Sequence, residues 1–447
     1  MDTVRIGGGA GFLGDRVDSA VDLVKRGRLD AVVIDALAER TLALLHMQNR
    51  LGGPGYSLSL EGWMNALLPV CAETRTCLVT NAGGVSPIDA ALMTRSVARG
   101  AGLRNMRIAA VTGDDVSAIV AQMDPVLLET GEPVSAFGKS PIGANAYIGS
   151  EAIAEAYSEG ADVIIAGRAT DSALALGPAM ASFGWQPTDQ NAMACGAVVG
   201  HLIECGPQLT GGYFADPMLK NVPDLHRVGF PIAEIRSDLS IELSKPDHTG
   251  GRIDRHTVTE QLLYEMKDPS CYITPDVTLD ITNVELDEIE RNRVRLSGAL
   301  GRPRPNDLKV LVSLSNGFVA EAEISYGGIS AKPKAMLAQE IIRKRTAKIP
   351  SLARARIHTD LIGINSLWRE RPLDIGVISE VRLRTCGRFE SKKSGELLIR
   401  EVEALYTSGP SGGAGVRYSL EPSVRTLTTF LPRSSVPVSW DMASESN

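Results

Sequence analysis

The sequence predicts an α/β protein. A mostly parallel, doubly wound sheet domain is expected over residues 1–235, a smaller α+β domain over 236–430, and a flexible tail over 431–447. Three observations lead there. Short apolar runs alternate with amphipathic helical stretches through the first half, the pattern of strand–helix–strand units joined by right-handed crossovers. Strings rich in Gly, Asn and Asp recur just after those apolar runs. From about residue 240 the alternation stops and strand-like pieces follow one another. At 447 residues the chain exceeds one ordinary core, so two domains are the default.

Taken in order, Val4–Ile6 leads as a strand into GGGAGFLGD, and VDSAVDLVKRG then carries apolar residues at helical spacing. Ala31–Ile34 is a second strand, ending in Asp35 before the helical ALAERTLALLHMQN. Cys77–Thr80 is a third, ending in Asn81-Ala82-Gly83-Gly84. Ser86-Pro87 then suits a helix start, with Ser as N-cap and Pro at the first helical position. Arg107–Thr112 ends in Gly113-Asp114-Asp115, and Ala161–Ala166 ends in Gly167-Arg168 before a helix from about Asp171. Beyond the polar HTGGRIDRHTV, strands are expected at 277–281, 293–296, 309–314, 317–324, 376–383 and 397–406, and a helix at 332–348. GPSGGAG at 409–415 is a second glycine loop, and the Ser- and Pro-rich stretch from Pro432 should fray.

Bulk properties narrow the function. A content of 44% hydrophobic and 22% charged residues is that of a globular protein, and the net charge of −7 argues against a nucleic-acid partner. No run of about twenty apolar residues is present to span a membrane. The six cysteines show no CxxC pair and read as free thiols of a reducing cytosol. MDTVRIGGGAG lacks a basic segment followed by an apolar one, so no signal peptide is expected and the chain reads as cytoplasmic.

In an open parallel sheet the loops after the strands share one edge, where ligands bind. That logic gathers Gly8, Gly9 and Gly11, then Asn81, Gly83 and Gly84, then Asp114 and Asp115, then Arg168 and Asp171 into one crevice. Gly9-Ala10-Gly11-Phe12-Leu13-Gly14, with Asp35 at the next strand's end, matches a dinucleotide fingerprint. Asp15 puts a negative charge where a pyrophosphate would sit, so a different anion or a tight structural turn competes with that reading. Asn81–Gly84 and Gly113–Asp115 are either ligand loops or plain turns, and the two aspartates are cation ligands or helix N-terminal charges. Arg168 could grip a carboxylate or phosphate bidentately, or pair with Asp171 across the turn. The run Arg343-Lys344-Arg345, with Lys348, Arg354 and Arg356, reads as a solvated helix face, with a CoA nucleotide as the rival.

The densest stretch is GHLIECGPQLTGGYF, residues 200–214. His201, Glu204 and Cys205 fall on one helix face at i, i+3 and i+4, before Gly206-Pro207 ends the helix. His201 and Glu204 are acid–base candidates, with Cys205 and Gln208 as orienting groups and Gly211-Gly212 in the facing loop. Cys205 is a poor nucleophile there, because a helix C-terminus disfavours a thiolate. The competing reading is a buried polar cluster joining two domains. Metal binding ranks lower, for want of a further ligand, and no metal or other cofactor is expected.

GGGAGFLGDR, LDAVVIDALAERT, NAGGVSP, GDD, GANAYIGSEAIAEAYSEGADVIIAGRATDSAL, GHLIECGPQLTGGYFAD and YITPDVTLDIT, in that order, resemble the acyclic terpene utilisation (AtuA-type) family from residue 1 to about 420. The resemblance implies catabolism of branched or terpenoid acyl-CoA compounds, with a hydration or carbon–carbon lyase step. It also implies a small ferredoxin-fold partner subunit, since this chain resembles the stand-alone large subunit. One departure is Tyr213, where family members often carry Asn.

The expected function is therefore a lyase, hydro-lyase or aldol-type, acting on a branched acyl-CoA or small carboxylic acid, in a homo-oligomer. Backbone amides of Gly8–Gly11 and Asn81–Gly84 would supply oxyanion contacts. The rivals are an NAD(P)-dependent oxidoreductase using the glycine loop and a non-catalytic acyl-CoA-binding scaffold. No GxSxG elbow is present for serine hydrolase chemistry.

Overall fold

The computed structural model describes residues 2–368 and 378–444. In chain order the first elements are β1 (Thr3–Ala10), α1 (Val17–Gly27), β2 (Ala31–Ile34), α2 (Glu39–Arg50), α3 (Leu60–Thr74), β3 (Cys77–Thr80), α4 (Pro87–Gly100), β4 (Ile108–Thr112), α5 (Ser117–Met123), β5 (Pro141–Ala146), α6 (Glu151–Ser158), β6 (Val163–Ala166), α7 (Asp171–Phe183) and α8 (Gln190–Ile203). They are followed by β7 (Ile232–Arg236), β8 (Ile241–Ser244) and α9 (Arg255–Leu262).

The local causes are plain. Every residue of β2, β3 and β6 is buried, as a strand covered on both faces requires. α1 buries Ala20, Leu23, Val24 and Gly27, one stripe at i, i+3, i+4 and i+7, and stops at Arg28 in the left-handed conformation. α4 begins with Pro87 at its first position, but the Ser86 side chain makes no cap bond.

The large sheet runs in the order Glu285–Glu290, Arg293–Ser297, β8, β7, β1, β2, β3, β6, β4, Ser439–Met442. The four pairings from β1 to β4 are parallel and the other five are antiparallel, so the sheet is mixed rather than mostly parallel. The β7–β8 hairpin adds to the free edge of β1, with Ile6 opposite Ala233. Strands beyond residue 235 thus continue the first sheet. The stretch expected to fray contains a strand as well: Ser439–Met442 pairs antiparallel with β4, Trp440 opposite Val111. Its carbonyl and amide groups complete an edge that would otherwise be open.

Two compact units result, Met1–Ser313 with Thr426–Asn447, and Leu314–Arg425. The smaller one holds a sheet in the order Ile357–Ile362, Glu380–Phe389, then the parts of Asp307–Gly327 and Ala414–Pro432 that fall within 314–425, with helices Ala331–Thr346 and Lys392–Glu403 against it. Its core includes Ile324, Tyr326, Leu383, Leu398 and Val402. Residues 397–406, expected as a strand, are helical: Gly395, Leu398, Ile399 and Val402 form a buried stripe at helical spacing, and the Ser391 hydroxyl accepts the Ser394 N–H as a cap. The two strands expected at 309–314 and 317–324 are one strand, and residues 376–377 of another lie outside the described residues. Among the described residues no helix is long and apolar enough to cross a membrane.

Candidate functional site

The loops after β1, β2, β3, β6 and β4 lie at one edge of the sheet, and buried charge collects there. Arg168 follows β6 and is only 1% exposed. Its guanidinium donates to the carbonyls of Leu37 and Ala169, pairs with Asp171, and lies 4.6 Å from the centre of the Tyr147 ring. The carboxylate it holds is thus Asp171's own. Tyr147 donates in turn to Glu39 at 2.8 Å, and Lys309 pairs with the same glutamate.

Asp35 stands at the carboxyl end of β2. Its Oδ1 accepts from Asn81 Nδ2 at 2.6 Å, while Asn81 Oδ1 accepts from Ala36 N at 2.7 Å, so a fully buried asparagine fixes the loop. Burial, aided by the charge of Asp171, pushes the Asp35 carboxyl well above the usual range, against the pull of Arg168 and Asn81. Beneath Arg168 runs a second buried chain. Asp114 Oδ2 accepts from the Arg168 N–H and from Asn145 Nδ2, both at 2.8 Å, and Asn145 Oδ1 meets His46 Nε2 at 2.6 Å. Burial raises Asp114 and lowers His46, so the imidazole is neutral at pH 7 and donates to Asn145. Asp115 turns away to the start of the next helix, accepting from Ser117 N and Oγ.

The glycines serve close backbone approach. A Cβ on Gly8 would stand 2.3 Å from the Ile203 carbonyl oxygen, one on Gly9 2.6 Å from Ile34, and one on Gly11 3.0 Å from the Cys205 backbone. A Cβ on Gly83 would stand 2.5 Å from the Ala166 oxygen, and Gly84 adopts φ +58. Gly211 adopts φ +95, and Gly212 donates to the Pro207 carbonyl at 2.8 Å. These are the demands of tight turns packed on one another. The Gly11 N–H points to Asp15 Oδ2 at 3.3 Å, and its other side abuts Cys205. A pyrophosphate would have to displace that carboxylate, so the residues present do not fit a dinucleotide there.

α8 buries every residue from Ala192 to Ile203, because a helix apolar all round must pack on every side. It ends at Ile203, earlier than the spacing suggests. Glu204 caps it, Cys205 lies beyond it, and Gly206–Gln208 is a separate short turn. His201 is 1% exposed and Glu204 8%. His201 Nδ1 faces Glu204 Oε1 at 3.4 Å, and Nε2 lies 3.1 Å from the Leu262 carbonyl. That carbonyl is placed by α9, whose start is fixed by a capping box on Asp254. Tyr272 packs against the imidazole with ring centres 5.4 Å apart. Burial pushes the Glu204 carboxyl up to about 7 despite the neighbouring imidazole. Burial alone would lower His201, but Glu204, with the Leu262 carbonyl and Glu265, raises the imidazole above its ordinary value. Burial and Glu204 also push the Cys205 thiol up, so it stays protonated.

The two groups share a wall. A Cβ on Gly200 would stand 2.5 Å from Ser172, beside Asp171, and Gly8 and Gly11 pack on Ile203 and Cys205. Asp171 raises Glu204, and Glu204 raises Asp35. Sequence reasoning gathered Arg168, Asp171 and Asn81 at this edge and singled out His201 and Glu204 at a helix end, without placing that end against the crevice. Gln208 and Gly211–Gly212 lie in the adjoining turns, and Asp115 serves a helix start. It missed His46, Asn145, Tyr147 and Tyr272; the only signals were GANAY between glycines and YITPD among the strands. Among the described residues no group of three or more His, Cys, Asp or Glu is arranged to hold a metal ion. In the basic run, Arg345 pairs with Glu401 and Lys344 with Glu340, as on a solvated helix face.

No curated protein and no solved structure matches the chain. One family model does, that of the acyclic terpene utilisation family protein AtuA, over residues 4–442. That match takes in every strand and loop that builds the crevice and the end of α8, and by it the chain belongs to the acyclic terpene utilisation family, AtuA.

Proposed function

We infer from membership of the family a part in acyclic terpene utilisation. We propose that the chain is a lyase acting on a branched acyl-CoA or related carboxylic acid, by moving a proton at the carbon next to the carbonyl. The observation that carries this reading is the buried His201–Glu204 pair at the sheet edge, with Glu204 raised to about 7. A carboxyl titrating near the working pH is the best compromise between being deprotonated and being basic enough to act. Glu204 takes the proton, His201 shares its charge, and Cys205 with Tyr272 shields the pair from bulk water. Arg168, tied to Asp171, orders the crevice rather than gripping the substrate carboxylate. In the hydro-lyase form, water is then lost from the β carbon.

The test uses purified protein in deuterium oxide with β-hydroxyisovaleryl-CoA, β-methylcrotonyl-CoA and the matching free acids. Deuterium should enter the α carbon, with interconversion of hydroxy and unsaturated forms. Glu204→Gln and His201→Gln should slow both by about 100-fold or more. A non-catalytic scaffold would bind the thioesters without exchange, and aldol-type cleavage would release shorter products. Absence of exchange with every compound sinks the lyase reading.

A further inference from the structure

Asp35 is the one carboxylate that the dinucleotide fingerprint singles out and the chemistry above does not use. With Gly11 directed at Asp15 and packed on Cys205, no ribose stands for it to bind. Three features set it apart from the carboxylates around it. It is partly exposed, whereas Asp114 is buried. Only its Oδ1 is anchored, by Asn81 at 2.6 Å and at 3.4 Å by the Leu37 N–H; among the described residues Oδ2 has no hydrogen-bond partner. The other partly exposed carboxylates there are taken: Asp171 by Arg168, Glu39 by Tyr147 and Lys309, and Asp15 by the Gly11 N–H.

Its position relative to the His201–Glu204 pair is fixed by the backbone. The Asp35 N–H donates to the Ala10 carbonyl at 3.2 Å, and the next residue, Gly11, packs on Cys205. Asp35 and Glu204 therefore flank the same Ala10–Gly11 segment, one at the carboxyl end of β2 and one at the end of α8. The anchoring asparagine has no exposed surface, so Oδ1 is held in place while Oδ2 keeps its lone pairs free of protein donors among the described residues.

Resting on the hydro-lyase form of the function above, we propose that Asp35 is a second catalytic residue, the acid that protonates the leaving β-hydroxyl group. Glu204 takes the proton from the α carbon, and that electron pair forms the α–β double bond. The β carbon–oxygen bond breaks, and its oxygen leaves as water with the proton of Asp35. Asp35 is then a carboxylate and Glu204 an acid, and exchange of protons with solvent restores both. Burial keeps the Asp35 carboxyl protonated to higher pH than a free aspartate, as an acid in this role needs.

The experiment separates the two proton transfers. β-Hydroxyisovaleryl-CoA is incubated with the full chain in deuterium oxide, and α-carbon exchange and dehydration are followed together. Asp35→Asn and Asp35→Ser are made in parallel, so that one folded variant without an ionisable group suffices. The expected result is dehydration slowed by about 100-fold or more with α-carbon exchange kept within about threefold of wild type. Dehydration within about threefold of wild type overturns the assignment. So does a folded variant in which exchange and dehydration fall together. Wild-type protein that does neither overturns the lyase reading itself, a different result from either.

Discussion

At the scale of single residues the decisive fact is that a carboxyl and an imidazole are buried beside a half-buried thiol at one helix end and shift one another's ionisation. Glu204 moves from its ordinary 4.5 to about 7. A carboxyl whose folded pKa lies above its unfolded one stabilises the fold fully below the unfolded value. That stability is lost as pH rises through the folded value, here between about pH 4.5 and pH 7. The upper bound for such a shift is roughly 3 kcal/mol. Wild-type protein should therefore lose melting temperature relative to Glu204→Gln as the pH is raised from about 5 to about 8, with His201 shifting in the same sense. A gap that stays constant across that range means Glu204 ionises like an exposed glutamate. Proton abstraction has the opposite sign: the base works only when ionised, so α-carbon exchange should rise toward pH 8. His201, Glu204 and Arg168 were legible because reactive residue types stood out among glycines and apolar runs. His46 and Asn145 were not, because their meaning lies in a contact between α2 and β5, ninety-nine residues apart.

At the scale of elements, glycine positions decide how closely the site's walls approach. Gly8→Ala would set a methyl group 2.3 Å from the Ile203 carbonyl oxygen, so β1 and the end of α8 must separate. Such overpacking costs about 1–3 kcal/mol, and because the moved turn carries Glu204, activity should fall with stability. Gly62→Ala, in α3 with nothing within 4 Å of the new Cβ, should instead raise stability by about 0.5–1 kcal/mol and leave activity unchanged. Thermal melts of the two variants check both signs; equal shifts would show that chain entropy rather than the close approach governs Gly8. The fingerprint GxGxxG was open to a ligand loop or a tight turn, and the choice rests on packing: Gly8, Gly9 and Gly11 are approached by the chain itself. Residues 397–406 misled for a related reason. ELLIREVEAL contains both a helical stripe and a run of branched apolar residues, and only packing against the sheet of its unit selects the helix.

At the scale of the whole molecule, the mixed sheet shows what periodicity cannot reveal. The central strands β1, β2, β3, β6 and β4 were legible as buried apolar runs, whereas their flanks were not. β7 and β8 alternate in burial like any half-exposed strand, and nothing local says which edge they join. The last strand was hidden further, since SSVPVSWDM looks like tail composition and earns its structure only by meeting β4. Ser439, Trp440, Asp441 and Met442 pair with Thr112, Val111, Ala110 and Ala109, and Trp440 donates to Glu155 at 3.1 Å. Arg95 also reaches the Ala443 carbonyl. A chain ending at Val438 would leave β4 as an open edge of buried, apolar residues, the template on which sheets associate. It should melt lower than a chain ending at Ser444 and form aggregates on gentle heating, followed by light scattering. Equal melting and scattering of the two chains would mean that β4 is protected without its partner strand. Because β4 leads into Asp114 and the buried chain beneath Arg168, loss of the edge strand should also weaken the crevice it closes from a distance.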